Sequence, residues 1–227
     1  MSIAIVTGAN RGLGFAAAEA LAKKNYEVVF AARKTEELEK KLAPLKKEGL
    51  KVQALTLDVS DENSIKNFVK DITAKFSRLD VLVNNAGIFI DNEDLPIAEK
   101  ILKTFKTNTL GPFLLTESLW PLLQKSSAAR VVNVSSGMGQ LSDMGGGSPS
   151  YRISKTALNT VTKLFSSQAG ENILVNSVCP GWVKTEMGGS GATRTLEQGI
   201  SGIIWAATLP NDGPNGSFFR DGKKREW

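Results

Sequence analysis

The sequence contains no histidine and a single cysteine, Cys179. Without an imidazole, a Ser-His-Asp triad and a histidine-ligated metal are both excluded, and one thiol cannot build a thiolate zinc site, so no metal is expected. Proton transfer near neutral pH then falls to Tyr, Lys, Asp, Glu, the thiol or a hydroxyl. A lone cysteine also rules out an internal disulfide and suits a reducing, cytoplasmic setting. Aromatic residues make up only 7% of the chain, and no apolar run approaches the roughly 20 residues that a membrane span needs. The opening Met1-Ser-Ile-Ala-Ile-Val-Thr7 lacks a basic start, an apolar segment and a cleavage site, so no leader is expected. Basic residues outnumber acidic ones by 28 to 23, for a net charge of +5. The lysines of 34–51 are interleaved with Glu36, Glu37, Glu39 and Glu48, as on an exposed helix face, and the basic stretch Lys223-Lys224-Arg225 is short. No nucleic-acid partner is expected on that pattern.

What is present is ordinary globular material. The 227 residues are 41% hydrophobic, which suits one domain over 1–227 with a substantial core. Apolar strands alternate with amphipathic helices from end to end. Ile3–Val6, Val28–Phe30, Val52–Val59, Val81–Val83, Val131–Val134, a strand around Leu174-Val175 and an edge strand at Ser217–Phe219 make about seven. Strands this apolar are buried on both faces. The expected fold is therefore α/β, a single Rossmann-type doubly wound parallel sheet with helices on both faces.

The first turn, Thr7-Gly-Ala-Asn-Arg-Gly-Leu-Gly14, lies between a strand and a helix. Gly8, Gly12 and Gly14 let the backbone turn tightly and approach a pyrophosphate, which would rest on the free N–H groups of the helix start. A site for NAD carries an acid at the end of the second strand to hold the adenosine ribose. Here that strand ends Phe30-Ala-Ala-Arg33-Lys34. Arg33 and Arg11 suit a 2′-phosphate, which a carboxylate would repel, so the expected cofactor is NADP (NADPH).

The chain resembles the short-chain dehydrogenase/reductase family over nearly its whole length. The matching motifs are the Thr7–Gly14 turn, Asp58-Val59, Asn84-Asn-Ala-Gly87, Asn108, Val134-Ser-Ser136, Tyr151-Arg-Ile-Ser-Lys155 and Pro180-Gly181. The stretch Leu209–Trp227 is similar to the carbonyl reductase branch. The resemblance implies a catalytic set of Asn108, Ser136, Tyr151 and Lys155. It also implies a cofactor site from Gly8, Asn10, Arg11, Gly12, Leu13, Gly14, Arg33, Asp58, Val59, Asn85, Ala86, Gly87, Tyr151, Lys155, Pro180, Gly181, Val183 and Thr185. Asp58 would meet the adenine and Thr185 the nicotinamide carboxamide.

The residue types suit that chemistry on their own terms. Tyr151 and Lys155 are four apart, one turn along one helix face. An ammonium beside a phenol favours the phenolate, so the tyrosine pKa is expected to fall from about 10. Ser136, ending the fifth strand, would hydrogen-bond a substrate carbonyl oxygen. If Thr104–Leu115 is helical, Pro112 has no N–H for the carbonyl of Asn108. That carbonyl could then hold a relay water, or Pro112 could mark a kink or a helix start. Cys179, just before Pro180, reads as a small buried residue or a reactive thiol.

The expected activity is NADPH-dependent reduction of a small hydrophobic ketone, aldehyde or quinone. Rival readings are a β-ketoacyl carrier-protein reductase and a non-catalytic NADP-binding sensor or scaffold. No membrane partner is expected. The resemblance implies a homodimer or homotetramer through helices near Pro96–Gln124 and Tyr151–Ala169, because the large insertion that covers this surface in monomeric relatives is missing. These helices carry Leu110, Phe113, Leu114, Leu158, Val161, Leu164 and Phe165, more apolar side chains than one buried face needs; some must pack on the sheet, and the surplus is expected to supply that surface.

Overall fold

The computed structural model describes residues 1–227. Eight strands form one sheet: β1 (Ser2–Thr7), β2 (Tyr26–Ala32), β3 (Val52–Thr56), β4 (Val81–Asn84), β5 (Ala129–Val134), β6 (Ile173–Val178), β7 (Phe218–Arg220) and β8 (Lys223–Arg225). Their order is β3-β2-β1-β4-β5-β6-β7-β8, and every pairing is parallel except β7 with β8. The helices are α1 (Gly12–Lys23), α2 (Glu36–Lys47), α3 (Glu62–Lys75), α4 (Ile97–Phe105), α5 (Gly111–Gln124), α6 (Pro149–Ser167) and α7 (Leu196–Ala207).

Successive strand side chains point to opposite faces, and the two cores follow that alternation. Ala4, Val6, Val28 and Phe30 pack with Leu21 of α1, Leu38 and Leu42 of α2 and Ile203 of α7. Ile5, Val29, Leu82 and Val131 pack on the other face with Phe68 of α3, Leu115 of α5 and Phe165 of α6. Each such large side chain contributes roughly 1.5–3 kcal/mol on burial, so both helical layers are anchored. No helix is long and apolar enough to cross a membrane.

Three details depart from the sequence expectation. The third strand stops at Thr56. The segment Ser217–Phe219 is not the edge, because the basic stretch Lys223–Arg225 adds an eighth strand. Asp221 and Gly222, both at positive φ, make the two-residue turn between them, as an Asp-Gly pair does in a tight hairpin. Of the apolar set on the proposed partner helices, Leu158, Val161 and Phe165 are those that pack on the sheet. Leu110, Phe113 and Leu114 are half-buried, and Leu164 is exposed. The stretch before Pro112 widens into a π turn, Lys106–Leu110, in which the Gly111 N–H reaches back to the Lys106 carbonyl. A wider turn suits a place where proline removes the ordinary donor.

After β3 the chain crosses to the far side of β1 to lay down β4. The loops leaving β1 and β4 therefore diverge, and a crevice opens at the carboxyl ends of the strands.

Candidate active site

Both loops at that crevice are tied together. Thr7 Oγ1 accepts hydrogen bonds from the Asn85 and Ala86 N–H groups, each at 3.0 Å, and Asn85 Nδ2 donates to the Thr7 carbonyl at 2.8 Å. A Cβ at Gly14 would collide with the Gly8 carbonyl and with Asn85 Nδ2. Glycine at 14 thus lets α1 begin directly against the Asn84–Gly87 turn. Gly12 faces the Thr185 side chain, and Leu13 meets Val183 across Gly199 of α7. The Asn10 carbonyl accepts from Lys41 Nζ at 2.9 Å. Val59 packs its carbonyl against Gly111.

The two arginines expected at the ribose phosphate are placed differently. Arg11 is ion-paired with Glu186, in the segment after Thr185. Arg33 is exposed and makes no ion pair, its charge reaching Asp58 through space. Burial works against the Asp58 carboxylate, but the Ser60 hydroxyl at 2.6 Å and N–H at 2.9 Å win, aided by Arg33 and Lys106. Its carboxyl is held below the ordinary carboxylate range.

The second group of residues gathers at the end of β5 and on α6. Lys155 is buried, its Nζ donating to the Val134 carbonyl at 2.8 Å and lying 5.6 Å from the Tyr151 ring centre. Burial brings its pKa down to about 8, with Cys179 opposing. Tyr151 keeps part of its surface open, but its phenol is enclosed. Burial first, and Cys179 second, push the phenol above its ordinary value, while Ser136 pulls the other way. This corrects the expectation of a lowered tyrosine pKa: desolvation of the phenolate is the largest effect on the phenol. A phenol so placed carries its proton at neutral pH.

Ser136 Oγ accepts from the Met138 N–H at 3.1 Å, and its hydroxyl faces the Tyr151 phenol. Gly139 follows; a Cβ there would fall 2.6 Å from the Lys155 carbonyl carbon, so only glycine lets this loop lie on α6. Its carbonyl accepts from Thr156 and Asn159, each at 3.1 Å.

Asn108 is fully buried, and its side-chain amide grips Ile88 on both sides: Oδ1 accepts from the Ile88 N–H at 2.8 Å and Nδ2 donates to the Ile88 carbonyl at 2.9 Å. Nδ2 also donates to Ser154 Oγ at 3.1 Å. Its position, 3.2 Å from where a Cβ on Gly87 would sit, with Lys155 Nζ at 3.6 Å from the same point, puts it beside the lysine. Cys179 is buried, its Sγ accepting from the Gly137 and Gly181 N–H groups at 3.1 and 3.4 Å.

The profile of the family described as short chain dehydrogenase matches residues 2–195. The chain belongs to that family. It is an oxidoreductase of the carbonyl reductase-like branch. Carbonyl reductase [NADPH] 1 of Mus musculus is 32% identical over 273 aligned residues, which cover 99% of this chain and 98% of that one. A (+)-neomenthol dehydrogenase of Arabidopsis thaliana is 32% identical, with 95% of each chain covered. Among solved structures, the carbonyl reductase Sniffer of D. melanogaster superposes with a TM-score of 0.84 at 32% identity, covering 100% of this chain and 99% of that one.

The residues of this short chain dehydrogenase fit NADP. The glycine cradle is one that a side chain would fill. Ala32 ends β2 where an acid would stand for NAD, and Arg33 follows it, exposed. The pattern of motifs did not point to Phe89 and Asp91. The Phe89 ring meets the Tyr151 ring edge-on at 5.1 Å, and Asp91 accepts hydrogen bonds from the start of α6. Neither residue belongs to a spaced motif, and each reaches α6 only through the fold.

Proposed function

We propose that residues 1–227 act as one NADPH-dependent domain that reduces a small hydrophobic ketone, aldehyde or quinone to the alcohol. What carries the reading is the meeting of Ser136, Tyr151 and Lys155 at the end of β5, beside the crevice where β1 and β4 part. Similarity to relatives such as the carbonyl reductase [NADPH] 1 of Mus musculus supports the same chemistry.

Gly8, Asn10, Gly12, Leu13 and Gly14 would hold the pyrophosphate, Arg11 and Arg33 the 2′-phosphate, and Asp58 and Val59 the adenine. Asn85, Ala86 and Gly87 would hold the ribose, with Pro180, Gly181, Val183 and Thr185 around the nicotinamide. Bound NADPH supplies the hydride. Ser136 donates a hydrogen bond to the carbonyl oxygen and supports the charge that develops there. Tyr151 gives that oxygen its proton. The raised phenol pKa is compatible with this role, because an alkoxide is far more basic than a phenolate. Lys155 in its charged form sits near the ring and stabilises the phenolate left behind. Asn108 holds Ile88 and Ser154, and so the walls around Lys155.

NADPH oxidation measured across aliphatic, aromatic, terpenoid and quinone carbonyls, with an acyl thioester included, tests the reading. Turnover of free carbonyls is the expected result. Turnover of the thioester alone would move the assignment to a carrier-protein reductase, and no turnover to a sensor or scaffold.

A reducing compartment such as the cytoplasm suits the single buried thiol. A homodimer or homotetramer is proposed on the apolar face that Ile97, Leu102 and Phe105 of α4 share with Ile153 and Leu164 of α6, all exposed. Sedimentation at micromolar concentration reads this directly, and a 24.4 kDa species would refute it.

A further inference from the structure

The start of α6 has three backbone positions to account for. A helix leaves its first N–H groups without partners inside the helix. Pro149, the first residue, has no N–H. Ser148, which precedes it, sits in the left-handed region at φ 47° and its side chain makes no capping bond. The local chain therefore offers nothing to Ser150 and Tyr151. Both of their N–H groups instead go to Asp91, about 60 residues earlier: Ser150 donates to Oδ1 and Tyr151 to Oδ2, each at 3.1 Å. The Arg152 N–H then begins the ordinary ladder on the Ser148 carbonyl at 3.1 Å. One carboxylate satisfies every free donor of this first turn, and its negative charge suits the positive end of the helix.

The same loop reaches the tyrosine side chain. Phe89, two residues before Asp91, packs its ring edge-on against the Tyr151 ring. Ile88, just before it, is gripped by Asn108 through both its N–H and its carbonyl. The Asp91 carbonyl accepts from Lys100 Nζ of α4 at 2.8 Å, which ties down the far end of the loop.

We propose that Asp91, assisted by Phe89, is a positioning residue for Tyr151: it fixes the tyrosine backbone from outside the helix while Phe89 fixes the ring. This rests on the reading of Tyr151 as proton donor. The phenol oxygen lies at the end of a long side chain, so a small angular error at the backbone becomes a large displacement where the proton is given. Misplacement on the scale of 1 Å costs on the order of a hundredfold in rate.

The test compares Asp91→Ala, Asp91→Asn and Phe89→Leu with Tyr151→Phe. Carbonyl reduction, NADPH affinity by nicotinamide fluorescence, and the solvent deuterium isotope effect on kcat are read for each. Asp91→Ala should lower kcat roughly ten- to a hundredfold, with NADPH affinity unchanged and a larger solvent isotope effect, because the proton step becomes slower. Asp91→Asn keeps one acceptor oxygen and a similar shape; it should fold even where alanine does not, and show the same pattern at a smaller size. Phe89→Leu should fall in the same direction. A wild-type kcat in the Asp91 variants, or a loss of kcat with no rise in the solvent isotope effect, overturns the proposal. If Tyr151→Phe turns over like the wild type, the donor assignment itself fails, whatever Asp91 does. A crippled Tyr151→Phe beside an unaffected Asp91→Ala would sink the positioning role alone.

Discussion

Around Gly8–Gly14 the chain is held by its nearest spatial neighbours, two adjacent parallel strands and the turns that leave them. Thr7, Asn85 and Ala86 exchange hydrogen bonds within a few ångströms of the sheet, and Gly14 is glycine because backbone lies against it. Around Tyr151 the arrangement is assembled from afar. Asp91 caps the helix, Asn108 holds the loop that carries Phe89, and Gly139 rests on Lys155. The half proposed to hold the nucleotide is built on backbone contacts, and the half proposed to face the carbonyl on side chains from several elements. The two halves should therefore fail separately.

The sharpest separation is at the phenol. Tyr151→Phe removes one oxygen and should lower kcat by about 10²–10⁴-fold, while fluorescence titration finds NADPH affinity close to wild type. A parallel loss of cofactor binding would mean that the two halves are coupled.

The reverse experiment touches only the nucleotide half. Ala32→Asp with Arg33→Ala puts an acid at the end of β2 and removes the exposed guanidinium that follows it. The ratio of kcat/KM for NADPH over NADH should drop about ten- to a hundredfold, the scale of one lost charge-assisted hydrogen bond. The kcat at saturating cofactor should hold.

A smaller effect sets activity against stability in one residue. Burial brings the Lys155 pKa to about 8, below the ordinary lysine value of 10.5. Below about 8 the ammonium is present and supports Tyr151, so kcat/KM should be level there and fall severalfold as pH rises through that value. Stability runs the other way. Between the two pKa values the unfolded chain binds more protons than the folded one, so unfolding free energy should rise with pH across that window, by a few kcal/mol at most. Lys155→Arg stays charged throughout and should flatten both trends. Denaturant melts and pH-rate profiles of both proteins would show it.

The same contrast explains what was legible in the sequence. The parallel sheet, the glycine turn, the missing acid after Ala32 and the Tyr151/Lys155 spacing all follow from local pattern: apolar runs, turn residues and a helical repeat of four. The eighth strand was less visible because Lys223–Arg225 has no apolar alternation, although Asp221-Gly222 is a strong hairpin turn. The raised phenol pKa depends on enclosure, which spacing does not report. Asp91 and Phe89 belong to no motif, and their meaning appears only when β4 and α6 come together. Pattern alone says that some apolar residues of α6 pack on the sheet but not which; Leu158, Val161 and Phe165 face the second core, while Leu164 is exposed.

The π turn at Lys106–Leu110 has an effect on the rod formed by α4 and α5 that extends past Asn108. Each residue of an α-helix advances the azimuth by about 100°, and a π turn adds a residue without the matching advance. The two segments are thus out of phase by roughly one residue's rotation. Upstream, Ile97, Leu102 and Phe105 look outward; downstream, Leu115, Leu119 and Leu123 look into the sheet. One continuous helical axis carries two apolar stripes with different bearings, one turned away from the sheet and the other turned toward it.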